Sequence, residues 1–319
     1  MTNMTINNGD LVLLFSHLPF DYEMDLPLSP IAGVTVALTP QSLFSTPDDD
    51  HLPCYVLPGT KLPGMVINNC CLVSRASESV PQNVTRETFL FTYLAALRLL
   101  APAPITVAGH FIYGGADEPI SHPTLLNMQS MWQPDADLRY SGTQFLQGGV
   151  LLERIIENLS AGPNRLKFAI MMFTQVTSGF SLSYQMCVLG LYAALEALFE
   201  PSGGRNYAKT LGLRLGAYLS SYDNGVGVAD WIEKHYQSER HSLSHGFWQF
   251  SPDSQSFNQR KEEFGIIHEI ARLALLGFLS MDQKKVRFLD LTKKKRQHAL
   301  DNLKPASGDF IQSQKMWLS

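Results

Sequence analysis

Residues 191–199 read Leu-Tyr-Ala-Ala-Leu-Glu-Ala-Leu-Phe, and this apolar stretch with one carboxylate lies at the centre of the pattern that decides the fold. Apolar residues recur at helical spacing here and in five neighbouring segments. Short connectors that contain Gly, Pro or Asn separate the segments, which predicts consecutive helices of an antiparallel bundle. The predicted helices are Gln147–Leu159, Asn164–Thr177, Ser183–Glu200, Asn206–Ser221, Val228–His245 and Arg260–Met281.

The chain before this bundle has the character of short strands and loops. Apolar, β-branched runs bounded by Gly, Pro and Asp predict strands, and frequent prolines argue against helices. The exception is Thr85–Leu100, whose apolar spacing predicts a helix with Thr85 as its N-cap. The predicted strands are Asp10–Phe15, Ile31–Leu38, Cys54–Leu57, Met65–Ile67 and Cys70–Val73, and Ile105–Ala108 and His110–Tyr113 are candidate strands in an ambiguous region.

These patterns predict an α+β protein in three parts. Residues 1–145 form a β-rich mixed domain of unknown role, 146–285 form the all-α bundle, and 286–319 form a basic C-terminal tail. The chain has 319 residues, a length typical of two domains. Net charge is −4, divided as −7 over residues 1–182 and +3 over 183–319, which permits a nucleic-acid partner for the second half.

Composition also bears on location. The four cysteines form no Cys-x-x-Cys pair, which is typical of a reduced, intracellular compartment. The N-terminus lacks a basic region followed by an apolar run, so no signal peptide is predicted. Every apolar stretch is broken well short of about 18 residues, so no membrane span is predicted. We expect a cytoplasmic protein.

A second segment completes the functional pattern. Residues 236–246 read Tyr-Gln-Ser-Glu-Arg-His-Ser-Leu-Ser-His-Gly, with four residues between Arg240 and His245. This motif, placed after the 191–199 helix and the two helices that follow it, resembles the HEPN superfamily of helical bundles and in particular its Apea-like branch. The resemblance covers about 140 residues, from about Gln147 to about Met281, and none of the N-terminal part.

The resemblance implies a metal-independent endoribonuclease without a cofactor, of the kind found in antiviral defence and toxin systems. It implies a homodimer through the bundle, with the Arg–His pairs of both subunits in one cleft that binds RNA. Arg240 and His245 would be the catalytic residues, assisted by His241 and Glu196. The N-terminal domain would sense a trigger or bind a regulatory partner.

The residue types suit this chemistry. The RNA 2′-hydroxyl attacks the neighbouring phosphate, which requires a base, an acid for the leaving 5′-oxygen, and positive charge on the phosphate. Histidine titrates near neutral pH, and the arginine fork donates two hydrogen bonds to phosphate. In a regular helix, however, residues five apart lie about 140° apart around the axis. A distortion of the helix is therefore required to bring Arg240 and His245 together.

Several alternatives stay open. A non-catalytic HEPN module for RNA binding or protein assembly is one alternative. Separately, Arg240 could pair with Glu239 or Glu233 on a solvent-exposed face, and Glu196 could cap or pair in a structural role. A zinc site built from His235, His241 and His245 is weaker, because a further ligand and an H-E-x-x-H arrangement are missing. Lys293–Arg296 is expected to be a solvated run of charge. No Gly-rich phosphate loop and no G-x-S-x-G motif occurs in the sequence.

Overall fold

The computed structural model describes most of both halves of the chain. The described residues are 5–21, 24–38, 70–82, 84–103, 105–114, 121–125, 139–177, 183–200, 206–223, 226–240, 254–308 and 310–311. They divide into two compact units, one holding the described residues up to 125 together with 139–152, the other holding 153–177 and the described residues from 183 onward. The division of the chain at 145–146 and at 285–286 stays a prediction.

The first unit contains a six-stranded antiparallel sheet. Its strands are β1 (Leu11–His17), β2 (Leu28–Ile31), β3 (Val34–Leu38), β4 (Cys70–Ser74), β5 (Thr106–Ile112) and β6 (Ser121–Leu125). Their order across the sheet is β2-β3-β4-β1-β5-β6. β1 is central, with Val12 opposite Val73 of β4 and opposite Phe111 of β5. These residues belong to a buried apolar cluster on one face of the sheet.

The structure changes two of the predicted strands. The run Ile31–Leu38 is not one strand: it contains the end of β2, a turn at Gly33 with a positive φ of 86°, and the whole of β3 (Val34–Leu38). The candidate strands Ile105–Ala108 and His110–Tyr113 are one continuous strand, β5. Asp10–Phe15 and Cys70–Val73 are confirmed as β1 and β4. Cys54–Leu57 and Met65–Ile67 lie outside the described residues.

Helix α1 (Arg86–Leu100) packs against β1 and β4. Its N-cap is Thr85, as predicted, whose hydroxyl accepts a hydrogen bond from the Thr88 amide at 3.1 Å. At its other end, the buried Tyr140 hydroxyl donates to the carbonyls of Leu97 and Ala101, both at 3.1 Å. The Tyr140 hydroxyl thus adds to the Ala101 N–H bond at the Leu97 carbonyl and gives the carbonyl of the C-cap residue Ala101 a partner within the same unit.

The second half of the described chain is helical, as predicted. Its helices are α2 (Gly142–Ala161), α3 (Asn164–Thr177), α4 (Tyr184–Phe199), α5 (Tyr207–Tyr218), α6 (Ser220–Asp223), α7 (Val226–His235), α8 (Ser254–Ser280), α9 (Gln283–Val286) and α10 (Lys293–Asp301). A π-helical turn, Tyr236–Arg240, follows α7, and a 3-10 turn, Arg287–Asp290, precedes α10. Helix α2 contributes to both units.

Three contacts organise the second unit. α3 packs on α4, α4 packs on α8, and α5 packs on α7. The aromatic rings of Phe199, Tyr218 and Phe278 lie 5.2–5.5 Å apart where α4, α5 and α8 meet. α5 and α7 approach closely at Gly212, where any Cβ would lie 2.5 Å from the Ala229 carbonyl oxygen. This glycine lets the middle of α5 approach the first turn of α7.

The described helices were compared with the length and hydropathy that a bilayer requires. Among them, no single helix is both long and apolar enough to cross a membrane. One bent pair, Asn258–Ser280 with Gln283–Asp290, meets the length and composition criteria only when its two arms are taken together.

Candidate functional site

Helix α4 carries two glutamates at its C-terminal end, Glu196 and Glu200. The helix begins at a Ser183 cap, whose hydroxyl accepts from the Met186 amide. It ends at Glu200, which has a left-handed φ of 33°, and the sequence continues with a proline that cannot extend the helix. Because Glu196 lies one turn before this end, its carboxylate projects close to the other elements that meet there.

The second element of the site is the π-helical turn Tyr236–Arg240. The segment Val228–His245 was predicted as one α-helix, but regular α-helix ends at His235 and the wider turn follows. Such turns are rare, and they occur frequently at functional sites. The π-turn is a helix distortion of the kind that an Arg240–His245 pair requires. It lies directly before the rest of the motif, which is outside the described residues.

Glu196 holds this turn through one carboxylate oxygen. Its Oε1 accepts a hydrogen bond from the Tyr236 hydroxyl at 2.9 Å and one from Arg240 Nε at 3.2 Å. The Tyr207 hydroxyl also bonds to this carboxylate. We call these residues, Glu196, Tyr207, Tyr236 and Arg240, the Glu196 cluster. It joins three elements that are far apart in the sequence.

The tyrosines of the cluster are neutral donors at physiological pH. Burial and the neighbouring Glu196 raise the pKa of Tyr207 to about 12, and the same causes raise the pKa of Tyr236. Their rings lie 5.6 Å apart, and the Arg240 guanidinium carbon lies 5.5 Å from the Tyr236 ring centre. One carboxylate therefore orients one cation, with two hydroxyls and an aromatic ring to support the pair.

Arg240 keeps part of its donor capacity. Its side chain is 29% exposed, and Glu196 binds it through Nε. Within the described part of the chain, no hydrogen bond engages the two terminal nitrogens of this guanidinium. Those nitrogens form the fork that binds phosphate in a bidentate manner. The arrangement can therefore receive an anion without breaking the contact to Glu196.

Behind the π-turn lies a buried histidine. The His235 Nδ1 atom is 2.7 Å from the Tyr192 hydroxyl, and its ring stacks on Trp231 with 4.3 Å between the ring centres. Burial lowers the pKa of His235 to about 4, so the ring is neutral near pH 7. His235 is 5% exposed, and its Nε2 finds no hydrogen-bond partner among the residues that the structure describes. The residue supports the turn from inside.

The structure brings two of the four predicted site residues together and leaves two undescribed. Arg240 and Glu196 form an ion pair, whereas His241 and His245 lie outside the described residues, so the Arg240–His245 pair stays a prediction. The alternative in which Arg240 pairs with Glu239 or Glu233 is not the contact that the structure shows, because Arg240 pairs with Glu196 of α4. Among the described residues, no cluster of three or more His, Cys, Asp or Glu has a geometry that fits a metal ion.

One turn further along, Glu200 is held more fully. Its Oε1 accepts from Arg165 at 2.9 Å and from Arg296 at 2.8 Å, and Arg296 Nε bonds to Oε2. Its backbone carbonyl accepts from Arg214 at 2.7 Å. The hydrogen bond and charge of Arg296, with the charge of Arg165, lower the Glu200 pKa. We call Glu200, Arg165, Arg214 and Arg296 the Glu200 cluster.

This cluster corrects one expectation about the basic run Lys293–Arg296. The three lysines are solvated, as expected, but Arg296 is buried against Glu200. The roles of Tyr207 and Tyr192 were not predicted from the sequence. Tyr192 precedes Glu196 by four residues, a spacing that places both on one face of α4 and marks the face that meets the π-turn.

The chain was compared with models of protein families, with curated proteins and with solved structures, and nothing matches it in any of the three.

Proposed function

We propose that the chain is a metal-independent endoribonuclease of the HEPN type. Arg240 would bind the scissile phosphate, His245 would transfer protons, and Glu196 would orient Arg240, with His241 as a further polar contact. The observation that carries the proposal is the Glu196–Arg240 pair on a π-helical turn, in which Nε is held and the terminal nitrogens stay available to an anion.

The proposed reaction needs no external reactant other than RNA. A histidine removes the proton from the 2′-hydroxyl, the 2′-oxygen forms a bond to phosphorus, and the bond from phosphorus to the 5′-oxygen breaks. A proton passes to the leaving oxygen, and the products are a 2′,3′-cyclic phosphate and a 5′-hydroxyl. The Arg240 charge stabilises the negative charge that grows on the phosphate oxygens. In a homodimer through the bundle, two Arg–His pairs supply the base and the acid.

An RNA cleavage assay in the presence of a chelator tests the proposal directly. We expect Arg240→Ala and His245→Ala each to lower the cleavage rate by about 100-fold or more, because each removes an interaction made in the transition state. Arg240→Lys is the matched control for charge without the fork, and it should recover only part of the rate. Intact RNA after incubation with the wild-type protein, or full activity of His245→Ala, would refute the proposal.

The second candidate is a non-catalytic HEPN module that binds RNA or assembles with protein. It is favoured by the completeness of the Glu196 cluster, since three donors on one carboxylate form a sound structural contact by themselves. RNA binding or dimerisation that survives loss of both Arg240 and His245, with no cleavage by the intact protein, would identify this module.

The remaining elements of the proposal concern context. A cytoplasmic defence or toxin effector would require restraint of its nuclease until a trigger arrives, and the sheet-containing first unit would bind that trigger or a regulatory partner. Measurement of cleavage by the full chain with and without cell extract from infected cells would test whether such restraint exists.

A further inference from the structure

The second unit uses its arginines and its lysines differently. Its arginines make ion pairs, as seen for Arg154, Arg165, Arg214, Arg240, Arg272, Arg287 and Arg296. Five lysines around α9 and α10 are exposed, and in the described part of the chain none of their ammonium groups makes a hydrogen bond or an ion pair. We call these five the lysine surface: Lys284, Lys285, Lys293, Lys294 and Lys295.

The surface concentrates positive charge in an acidic protein. Residues 284–304 contain eight Lys or Arg and two Asp, a net charge of +6, in a chain whose net charge is −4. Like charges this close repel one another, which disfavours the arrangement unless a partner compensates it. A cluster of cations without internal partners is the electrostatic signature of a surface for a polyanion.

The lysines are mounted on a fixed support. Arg296 of α10 binds Glu200 and also donates to the carbonyls of Leu289 and Leu291, which ties α10 to the preceding turn. Val286, Leu289 and Leu300 are buried beneath these short helices. The lysines therefore project from an anchored element, and their positions are set before any ligand binds.

The lysine surface lies near the end of α4 that holds Arg240. Arg296, which directly follows Lys295 on α10, donates to Glu200 Oε1 on α4 at 2.8 Å, and the charge of the nearby Lys293 contributes to the lowered pKa of that carboxyl. Glu196, which binds Arg240, is four residues earlier on the same helix, a rise of about 6 Å. A nucleic-acid strand with one phosphate at Arg240 can thus reach the lysines within a few nucleotides.

We propose that the lysine surface binds the phosphate backbone of single-stranded RNA and extends the candidate site along the strand. The position of the scissile phosphate at Arg240 rests on the proposed function, but backbone binding by the lysines does not. Lysine ammonium groups act as point charges for phosphate. Among the described residues of this segment, Leu291 is the only exposed large hydrophobic side chain. A surface that inserts into a bilayer needs several such side chains.

The test measures binding of the full chain to a short fluorescein-labelled oligouridylate by anisotropy, between about 50 and 200 mM salt. The variant Lys293→Gln/Lys294→Gln/Lys295→Gln should bind roughly 10- to 100-fold more weakly, and its salt slope should fall by about 2, at about 0.7 per lysine for a single strand. The matched variant with arginine at all three positions keeps the charge and should bind like the wild type.

The outcomes separate this inference from the proposed function. Loss of binding in the glutamine variant, with binding retained in Arg240→Ala, supports the lysine surface even when no RNA is cleaved. A glutamine variant that binds RNA like the wild type, or a wild-type protein that does not bind, would overturn the inference. A glutamine variant that no longer binds phosphatidylserine vesicles but binds RNA like the wild type would also overturn the inference, because the lysines would then bind a membrane surface. Thermal unfolding of each variant shows whether the fold is intact.

Discussion

The two ends of a single helical turn in α4 show two different uses of the same glutamate–arginine contact. Glu200 binds two arginines through its carboxylate and a third through its backbone carbonyl. Glu196 binds one arginine, and its other donors are tyrosine hydroxyls. The Arg296 side chain is 11% exposed, whereas that of Arg240 is 29% exposed.

This difference separates a structural contact from a candidate site. The Glu200 cluster joins α3, α4, α5 and α10 with donors that are largely occupied, so it stabilises the unit. The Glu196 cluster holds one guanidinium through Nε, and among the described residues no hydrogen bond engages its terminal nitrogens. A carboxylate that orients a cation with spare donors provides a receptor for an anion, and this is the physical basis of the proposed function.

Replacement of each glutamate by glutamine gives the largest expected contrast. Glu200→Gln leaves Arg296 and Arg165 without their carboxylate and should lower the free energy of unfolding by about 3 kcal/mol. Glu196→Gln should lower it by less than about 1 kcal/mol, because Arg240 is more exposed and solvent screens its charge. Urea unfolding followed by circular dichroism measures both values. Equal losses would mean that the two clusters are both structural.

The pH dependence of stability should also distinguish the two regions. His235 has a folded pKa of about 4 against 6.5 in the unfolded chain, so the unfolded state binds a proton first as pH falls. The contribution of His235 to stability should therefore decrease by about 3 kcal/mol between pH 6.5 and 4, with no further change from this residue below that. The Glu200 pKa is lowered, so its contribution is present above about 4.5 and is lost only as pH falls below that value.

Single variants assign these two pH windows. Urea unfolding at a series of pH values gives the free energy of unfolding as a function of pH. Its decrease between pH 6.5 and 4 should be absent in His235→Phe and present in His298→Gln, which changes an exposed histidine. Glu200→Gln should flatten only the region below about 4.5. A wild-type stability that is constant from pH 6.5 to 4 would contradict the buried, neutral state of His235.

The smallest expected effect concerns a neutral donor of the Glu196 cluster. Tyr236→Phe removes the hydroxyl that donates to Glu196 and keeps the ring beneath Arg240, so it should cost about 1 kcal/mol of stability. RNA binding should stay within about twofold of the wild type, because the lysine surface and Arg240 are retained. A loss as large as that of Glu200→Gln would show that the hydroxyl, and not the arginine, holds the π-turn.

Local sequence patterns predicted much of the secondary structure. The 3.6-residue period of apolar residues located α1 to α5, α7 and α8, but not the short α6, since that period reports which side of a helix is buried. β-branched runs located β1 and β4. The hairpin at Gly33 was missed because one glycine within an apolar run gives little signal for a reversal, although its positive φ is what makes the turn.

By itself, the sequence determined the α+β composition, the order of the helices, and the identity of Glu196 as a carboxylate on an apolar helix and of Arg240 as part of a polar motif. Only the tertiary structure decided that these two residues meet, across 44 positions of the chain, and that Glu200 binds Arg296 instead. A period along one helix reports which residues face the interior. It carries no information about which element lies opposite, because that depends on how all the buried faces pack at once.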